Sequence, residues 1–291
     1  MADTTIDTTG FFNRHYFFFR RLHSLAGIIP IGAFLLFHLT TNASIVWGHL
    51  NESEGQAAAG AGVRAFQHEV NFIHSLPALI LTEIFVLWIP IAFHAIFGIY
   101  YAVQGHPNVA RYKYQDNWRY TLQRLTGYFG LLFILYHVAT LRWEMTFLIP
   151  GGTEWSDEFA ASTLSAILRG SSEGVTNAGM IVSIFYMLGV TALVYHFANG
   201  LWTAAITWGI TVSEKAQKRW GRVCFVVGVL LMGAAWSAVI GFATLDTHKA
   251  IEVEKAMLKG SGEEIVEPAQ PNGEVAELLP ASNQADQDSG N

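Results

Sequence analysis

Five long runs of apolar side chains divide the sequence, and polar or charged connections separate them. A helix needs roughly 20 residues, at about 1.5 Å per residue, to cross the apolar core of a bilayer, which is about 30 Å thick. Buried helices of soluble proteins are rarely apolar over such lengths. The five runs are residues 25–47, 77–103, 125–141, 178–208 and 223–245. The pattern predicts an all-α integral membrane protein with five transmembrane helices.

Composition agrees with this fold class. Of the 291 residues, 52% are hydrophobic and only 14% are charged, whereas soluble proteins are roughly 25% charged. Pro30 and Pro90 lie inside predicted spans, where neighbouring helices can satisfy the backbone groups that a proline kink frees. The single cysteine, Cys224, excludes an internal disulfide and an iron–sulfur cluster held by this chain alone.

The chain divides into three segments by composition. Residues 1–24 form a basic N-terminal segment, and residues 25–245 form the five-helix membrane domain. Residues 246–291 are rich in Glu, Asp, Gly, Pro and Asn. Such a composition buries too little apolar surface to fold, so we predict a disordered acidic tail.

The positions of lysine and arginine predict the orientation in the membrane. The N-terminal segment and the connections after the second and fourth spans hold eleven of the 17 basic residues. They are Arg14, Arg20, Arg21, Arg111, Lys113, Arg119, Arg124, Lys215, Lys218, Arg219 and Arg222. The positive-inside rule therefore predicts a cytoplasmic N-terminus and an external C-terminus.

Four histidines lie inside spans one to four, one in each: His38, His94, His137 and His196. An ionisable side chain is costly there and marks a candidate functional site, although a single one can also be a hydrogen-bonded packing residue. The other seven fall at span ends or in connections. These are His15, His23, His49, His68, His74, His106 and His248.

Depth arranges the four histidines in pairs. His38 and His137 each lie 13 residues into spans that start in the cytoplasm, about 20 Å along the helix. In spans that start outside, His94 lies 17 residues after Pro77 and His196 lies 16 after Met180, about 25 Å along the helix. Each pair shares a level, and the two levels are roughly 15 Å apart.

Paired imidazoles on facing helices are the axial ligands that a bis-histidine haem b requires. Gly98 and Gly200 lie four residues after His94 and His196, and they either leave room for a flat macrocycle or serve helix packing. Zinc and copper sites instead need ligands clustered at one point. We therefore predict that the first four spans form a bundle that binds two b haems.

Extended motifs around these histidines resemble a known family. They are F-F-F-R-R-L-H-S-L-A-G-I-I-P-I-G (residues 17–32) before His38, S-L-P (residues 75–77) before Glu83 and His94, N-W-R-Y-T-L-Q-R-L-T-G (residues 117–127) before His137, and Y-H-F-A-N-G-L-W-T-A-A-I-T-W-G-I-T (residues 195–211) around His196. The chain resembles the single-chain, two-haem cytochrome b membrane anchor of succinate dehydrogenase and fumarate reductase.

The resemblance implies that His94 and His196 bind a proximal haem and that His38 and His137 bind a distal one. It also implies a flavoprotein partner that oxidises succinate on FAD and an iron–sulfur partner, both on the cytoplasmic face of a bacterial inner membrane. The chain would pass their electrons to a quinone, and the family favours menaquinone. Quinol:fumarate reduction by the same complex is the alternative.

Further residues are weaker candidates. Arg21, His23, Ser24 and Trp118 are candidate contacts of haem propionates, because a carboxylate favours charge-assisted donors. The basic residues also serve topology and contact with anionic lipid.

Glu83 is the one acid inside a span, and it is the candidate for quinone-linked proton transfer. It could equally pair with a neighbouring polar group. His68, Glu69 and His74 are weaker candidates for lining a quinone pocket on the same side.

Two other functions are consistent with parts of the pattern. A haem anchor of a hydrogenase or formate dehydrogenase would dock its partner on the outer face. The basic cytoplasmic face and the F-F-F-R-R-L-H-S motif disfavour this alternative. A transporter with a histidine proton relay would be colourless, and the sequence shows no inverted repeat.

Overall fold

The computed structural model describes residues 11–48, 60–105 and 115–261. These parts of the chain are helical and contain no β-strand. Five helices are long and apolar enough to cross a membrane, which confirms the predicted fold class. His49, His106, residues 1–10 and residues 262–291 lie outside the described residues.

The described residues form eleven α-helices and two short turns of other helix types. They are α1 (Phe11–Arg14), α2 (Tyr16–Ile28), α3 (Pro30–Trp47), α4 (Ala61–His74), α5 (Leu79–Thr82), a π-helical turn (Glu83–Trp88), α6 (Ile89–Gln104), α7 (Gln115–Leu141), a 3₁₀ turn (Thr146–Leu148), α8 (Ala160–Arg169), α9 (Asn177–Thr207), α10 (Glu214–Ala243) and α11 (Thr247–Ser261). The first span consists of α2 and α3, and the second consists of α5, the π-helical turn and α6. The third, fourth and fifth spans are α7, α9 and α10.

Both interior prolines interrupt regular helix. Only Ile29 separates the end of α2 at Ile28 from Pro30, the first residue of α3, and the break occurs here because proline has no N–H to donate to the preceding turn. Pro90 follows the π-helical turn Glu83–Trp88, in which main-chain hydrogen bonds join residues five apart instead of four.

Three spans begin eight or nine residues earlier than the sequence predicted. They start at Tyr16, Asn117 and Glu214, whereas the apolar runs start at residues 25, 125 and 223. Hydropathy marks only the apolar part of a helix, and the backbone continues through a polar or basic turn at its end.

The spans pack as an antiparallel bundle. α10 packs along α9 and α3, α7 packs along α9, and α2 packs along α6. We call the end that carries Arg20, Arg119 and Arg124 the basic end. At the opposite end α4, α8 and α11 pack on one another, and we call these three helices the cap.

Two side chains satisfy the first amides of α8, the central helix of the cap. Gln67 Oε1 accepts a hydrogen bond from the Ala160 N–H at 3.2 Å. Glu254 Oε1 accepts from the N–H groups of Ala161 and Ser162 at 2.8 and 3.2 Å. The first N–H groups of a helix have no partner within it, so these contacts tie α4 and α11 to the start of α8.

The helix α11 corrects part of the predicted disordered tail. The expectation of disorder from residue 246 fails for Thr247–Ser261, which is helical. Ala250, Leu258 and Glu254 are buried in it. Five of its fifteen residues are charged, but Ala250, Glu254 and Leu258 recur every four residues on one face, which packs on α4 and α8.

Candidate functional site

A single large cavity runs between the spans and is lined by all four intramembrane histidines. Its volume is about 2070 Å³, larger than the roughly 300–1,000 Å³ of an ordinary ligand pocket. The cavity extends from Arg20 and Arg124 at the basic end to Arg142 and His74 beside the cap. It offers room for more than one flat cofactor along the bundle axis.

The structure brings together the two pairs that the depth argument selected. The ring centroids of His38 and His137 are 5.8 Å apart, with an angle of 81° between the ring planes. We call them the cap-side pair. The ring centroids of His94 and His196 are 6.0 Å apart at 85°, and we call them the basic-end pair.

Hydrogen bonds across helices orient the basic-end pair. Nδ1 of His94 donates to the main-chain oxygen of His23 at 2.9 Å. Nδ1 of His196 donates to the main-chain oxygen of Gln123 at 3.0 Å. Because a carbonyl oxygen only accepts, these contacts place the proton on Nδ1 and leave the Nε2 lone pair for a ligand.

The cap-side pair is held differently. The buried Nδ1 of His137 has no hydrogen-bond partner. The side-chain amide of Asn42 donates to the main-chain oxygen of His38 at 2.8 Å and lies 3.5 Å from its Nε2. Packing against aromatic rings orients the pair, with Phe34 stacked on His38 and Phe133 stacked on His137.

Glycines on the facing helices make room for the basic-end imidazoles. A Cβ atom on Gly27 would lie 2.5 Å from Cε1 of His94, and one on Gly127 would lie 3.0 Å from Cε1 of His196. Gly98 and Gly200, which the sequence singled out, instead face His23 and Gln123. Sequence reasoning missed the first two because the helix partners decide which glycine meets which ring.

The residues fit a metal held from two opposite sides. An imidazole nitrogen binds a metal at about 2.0–2.1 Å, so two ring centroids on either side of one ion are roughly 6 Å apart. The separations of 5.8 and 6.0 Å match this value. Within the described ranges, no group of three or more His, Cys, Asp or Glu side chains is arranged to hold a metal ion. Two ligands per site agree with the axial positions of haem and not with a structural zinc site.

The predicted propionate contacts divide into two groups. His23 and Ser24 line the cavity, together with Arg20 and Arg124. His23 also stacks on His94, with ring centroids 4.0 Å apart and an angle of 11°. Arg21 and Trp118 are not among the lining residues; instead the Arg21 guanidinium lies 6.0 Å from the Trp208 ring.

Glu83 lines the cavity near the cap and is paired with a cation. Arg142 donates to its two carboxylate oxygens, from Nε at 3.2 Å and from a terminal nitrogen at 3.0 Å. The contact joins the second span to the end of the third. Next to it Trp88 stacks on Trp143, with ring centroids 5.7 Å apart.

Of the three weaker candidates for a quinone pocket, only one lines the cavity. His74 lines the cavity, and its Nδ1 lies 2.9 Å from a carboxylate oxygen of Asp157. His68 and Glu69 lie on the same helix, α4, but do not line the cavity.

A protein of Bacillus subtilis (strain 168), the succinate dehydrogenase cytochrome b558 subunit, is 35% identical over 226 residues. The match covers 78% of this chain and 96% of that protein. No family model matches the chain, and no solved structure matches it. With five membrane-spanning helices and this similarity over most of both sequences, the chain belongs to the family of succinate dehydrogenase cytochrome b membrane subunits.

Proposed function

We propose that the chain binds two b haems, each between one pair of histidines. His94 and His196 would supply the axial ligands of one haem, and His38 and His137 those of the other. The observation that carries this proposal is the 6.0 and 5.8 Å separation of the ring centroids, at two levels of one continuous cavity. The name of the Bacillus subtilis relative, a cytochrome b558, supports haem b as the cofactor.

A haem with both axial positions filled exchanges single electrons and offers oxygen no binding position. The protein's contribution is to hold the four imidazoles, to keep Nε2 of the basic-end pair free of protons, and to exclude water with an apolar lining. This arrangement supports electron transfer along the bundle axis, from the basic end to the cap end. The catalytic dicarboxylate chemistry belongs to partner subunits, because this chain has one cysteine and no flavin motif.

We infer that the basic end faces the cytoplasm of a bacterial cell and contacts the iron–sulfur partner, with the flavoprotein beyond it. The support is the concentration of arginine and lysine at this end, as the positive-inside rule requires. The C-terminus would then lie outside, with the cap on the external face.

We propose that a quinone, of the menaquinone type, is reduced beside the cap-side pair. The cavity there is bounded by the titratable side chains of Glu83, His74 and Asp157 and by Arg142, beside an apolar wall that includes Ile73, Leu87 and Leu141. Succinate oxidation coupled to this reduction is the proposed direction of the complex.

The test of the haem proposal is the haem content of the purified protein, measured by pyridine haemochrome, for the wild type and for His38→Ala and His94→Ala. Two b haems per chain are expected in the wild type. Each substitution should remove one haem, and the two losses should differ in their reduced-minus-oxidised spectra. One haem in the wild type, or the same haem lost in both variants, would contradict the paired arrangement.

Glu83 is our proposed proton donor to the quinone. Glu83→Gln keeps the size of the side chain but cannot release a proton, so quinone reduction should slow by roughly a hundredfold or more. Reduction of both haems by succinate in the assembled complex should be unaffected. Glu69→Gln, an acid of α4 that does not line the cavity, is the matched control. An unchanged rate of quinone reduction in Glu83→Gln would remove this role.

A further inference from the structure

A chain of polar side chains connects His196 to the basic end of the bundle. It runs between α7 and α9 through Gln123, Asn199 and Arg119. Each link is a hydrogen bond between the two helices. This polar chain was not predicted from the sequence, because Gln123 and Asn199 match no ligand motif.

Gln123 and His196 form two hydrogen bonds with each other, and each residue donates one of them. Its main-chain oxygen accepts from Nδ1 of His196 at 3.0 Å, while its Nε2 donates to the main-chain oxygen of His196 at 3.1 Å. The residue that supplies the acceptor for the imidazole is therefore fixed to the same turn of α9 by its own side chain.

Asn199 holds the side chain of Gln123 in place. Its Nδ2 donates to Oε1 of Gln123 at 2.8 Å, and its Oδ1 accepts from Nε of Arg119 at 2.9 Å. Only 4% of Asn199 is exposed. A buried amide is costly unless its donors and acceptor are satisfied, and here the amide oxygen and nitrogen both have partners.

Arg119 ends the chain at the basic surface. Its guanidinium carbon lies 3.8 Å from the centre of the Trp202 ring, at a distance that favours a cation–π contact. The spacing explains the alignment: residues 119, 123 and 127 lie on one face of α7, and residues 196 and 199 lie one turn apart on α9. At Gly127, one turn beyond Gln123, an added Cβ would lie 3.0 Å from Cε1 of His196.

The cap-side pair has no comparable support. Within the described residues, Nδ1 of His137 is buried without a hydrogen-bond partner. The two pairs therefore differ in how firmly the protein orients their imidazoles before any cofactor binds.

We propose that Gln123, Asn199 and Arg119 are positioning residues that fix the ring plane of His196 and thereby tune the basic-end haem selectively. This proposal rests on the proposed function, because it assumes that His196 is an axial ligand. Hydrogen bonds to a ligating imidazole set its orientation and basicity, and their loss typically weakens metal binding by roughly 10–100-fold.

The test uses the full chain, purified with its bound haem, and compares Asn199→Ala with the wild type by low-spin EPR, which reports the relative orientation of the two axial imidazole planes. We expect two haems per chain in both proteins. In Asn199→Ala, one EPR signal should shift, and it should be the signal that His196→Ala abolishes. The same haem should transfer to excess apomyoglobin roughly 10–100-fold faster.

Thr191→Val is the matched control. Thr191 lies on the same helix, and its hydroxyl accepts from Nε1 of Trp236 on α10 at 3.0 Å. Removing this contact also breaks an interhelical hydrogen bond, but at a position outside the cavity lining, so neither EPR signal should move. If Asn199→Ala does not accumulate, Arg119→Lys provides a milder change that removes the Nε donor and should shift the same signal by less.

The outcomes separate the two proposals. A wild type that binds no haem, or that keeps both haems in His196→Ala, contradicts the proposed function itself. A wild type with two haems whose signals do not move in Asn199→Ala and Arg119→Lys overturns the positioning role alone. Equal shifts of both signals, or an equal shift in Thr191→Val, also overturn it, because a general loosening of the bundle would produce them.

Discussion

At the scale of single residues, the candidate site depends on glycines, which have no side chain, as much as on the histidines. The His94 ring packs against α2, where it stacks on the His23 ring and lies next to Gly27. Its Nδ1 is bonded to the main-chain oxygen of His23, so the ring cannot turn without losing this contact. A methyl group at position 27 would occupy the space of the imidazole.

Gly27→Ala should therefore displace His94 and lower the haem content from two per chain to about one. The physical reason is a Cβ atom 2.5 Å from Cε1 and 2.8 Å from Nδ1 of His94, well inside ordinary contact distances. Pyridine haemochrome and EPR on the purified variant measure the loss. Gly233→Ala on α10 is the control, since nothing lies within 4 Å of its added Cβ. Two haems with unchanged signals in Gly27→Ala would refute the prediction.

At the scale of elements, the cap is held by polar contacts at the start of one short helix. The first amides of α8 are satisfied by side chains of α4 and α11, and Gln67 also donates to the main-chain oxygen of Asp157 at 2.5 Å. Arg169, at the other end of α8, donates to the main-chain oxygen of Leu245 and to Oγ1 of Thr247. Hydrogen bonds therefore join α11 to both the first and the last turn of α8.

The docking of α11 should weaken as the pH rises. Burial raises the pKa of Glu254 to about 7 from its ordinary value of 4.5. A raised pKa in the folded state means that the folded protein binds more protons than the unfolded chain between these values. The contribution to stability is complete below pH 4.5 and is lost as the pH passes 7, by on the order of 3 kcal/mol in total.

Amide hydrogen exchange in α8 and α11, compared at pH 5 and pH 8 after correction for intrinsic rates, measures this effect. Protection should fall at pH 8 in the wild type and be nearly independent of pH in Glu254→Gln. Glu252→Gln, an exposed acid of the same helix, should behave as the wild type. Equal pH dependence in all three proteins would contradict the role of Glu254.

At the scale of the whole molecule, charge and chemistry are divided between two ends. The basic end carries most of the arginines and the pair whose Nδ1 atoms donate to main-chain oxygens. The cap end carries the ion pair of Glu83 with Arg142 and the pair in which Nδ1 of His137 has no hydrogen-bond partner. A direction for electron transfer follows once the membrane side of each end is known.

Single introduced cysteines can determine that side, because the chain has one native cysteine, Cys224, which is buried. In a Cys224→Ala background, Phe147→Cys near the cap should react with a membrane-impermeant maleimide in intact cells. Val212→Cys at the basic end should react only after permeabilisation. Both native side chains are 82% exposed, so access to the membrane side decides the result. The reverse pattern would place the partner subunits outside.

The sequence by itself determined the fold class, the number of spans and the pairing of four histidines by level, because each depends only on local hydropathy and on rise along a helix. The tertiary structure alone decided that Gly27 and Gly127 meet the imidazoles, that Gln123 and Asn199 support His196, and that Glu83 pairs with Arg142. These contacts depend on the rotation of each helix about its axis and on its neighbours. The position of α11 was likewise decided by the tertiary structure, since its buried face packs on α4 and α8, which are distant in sequence.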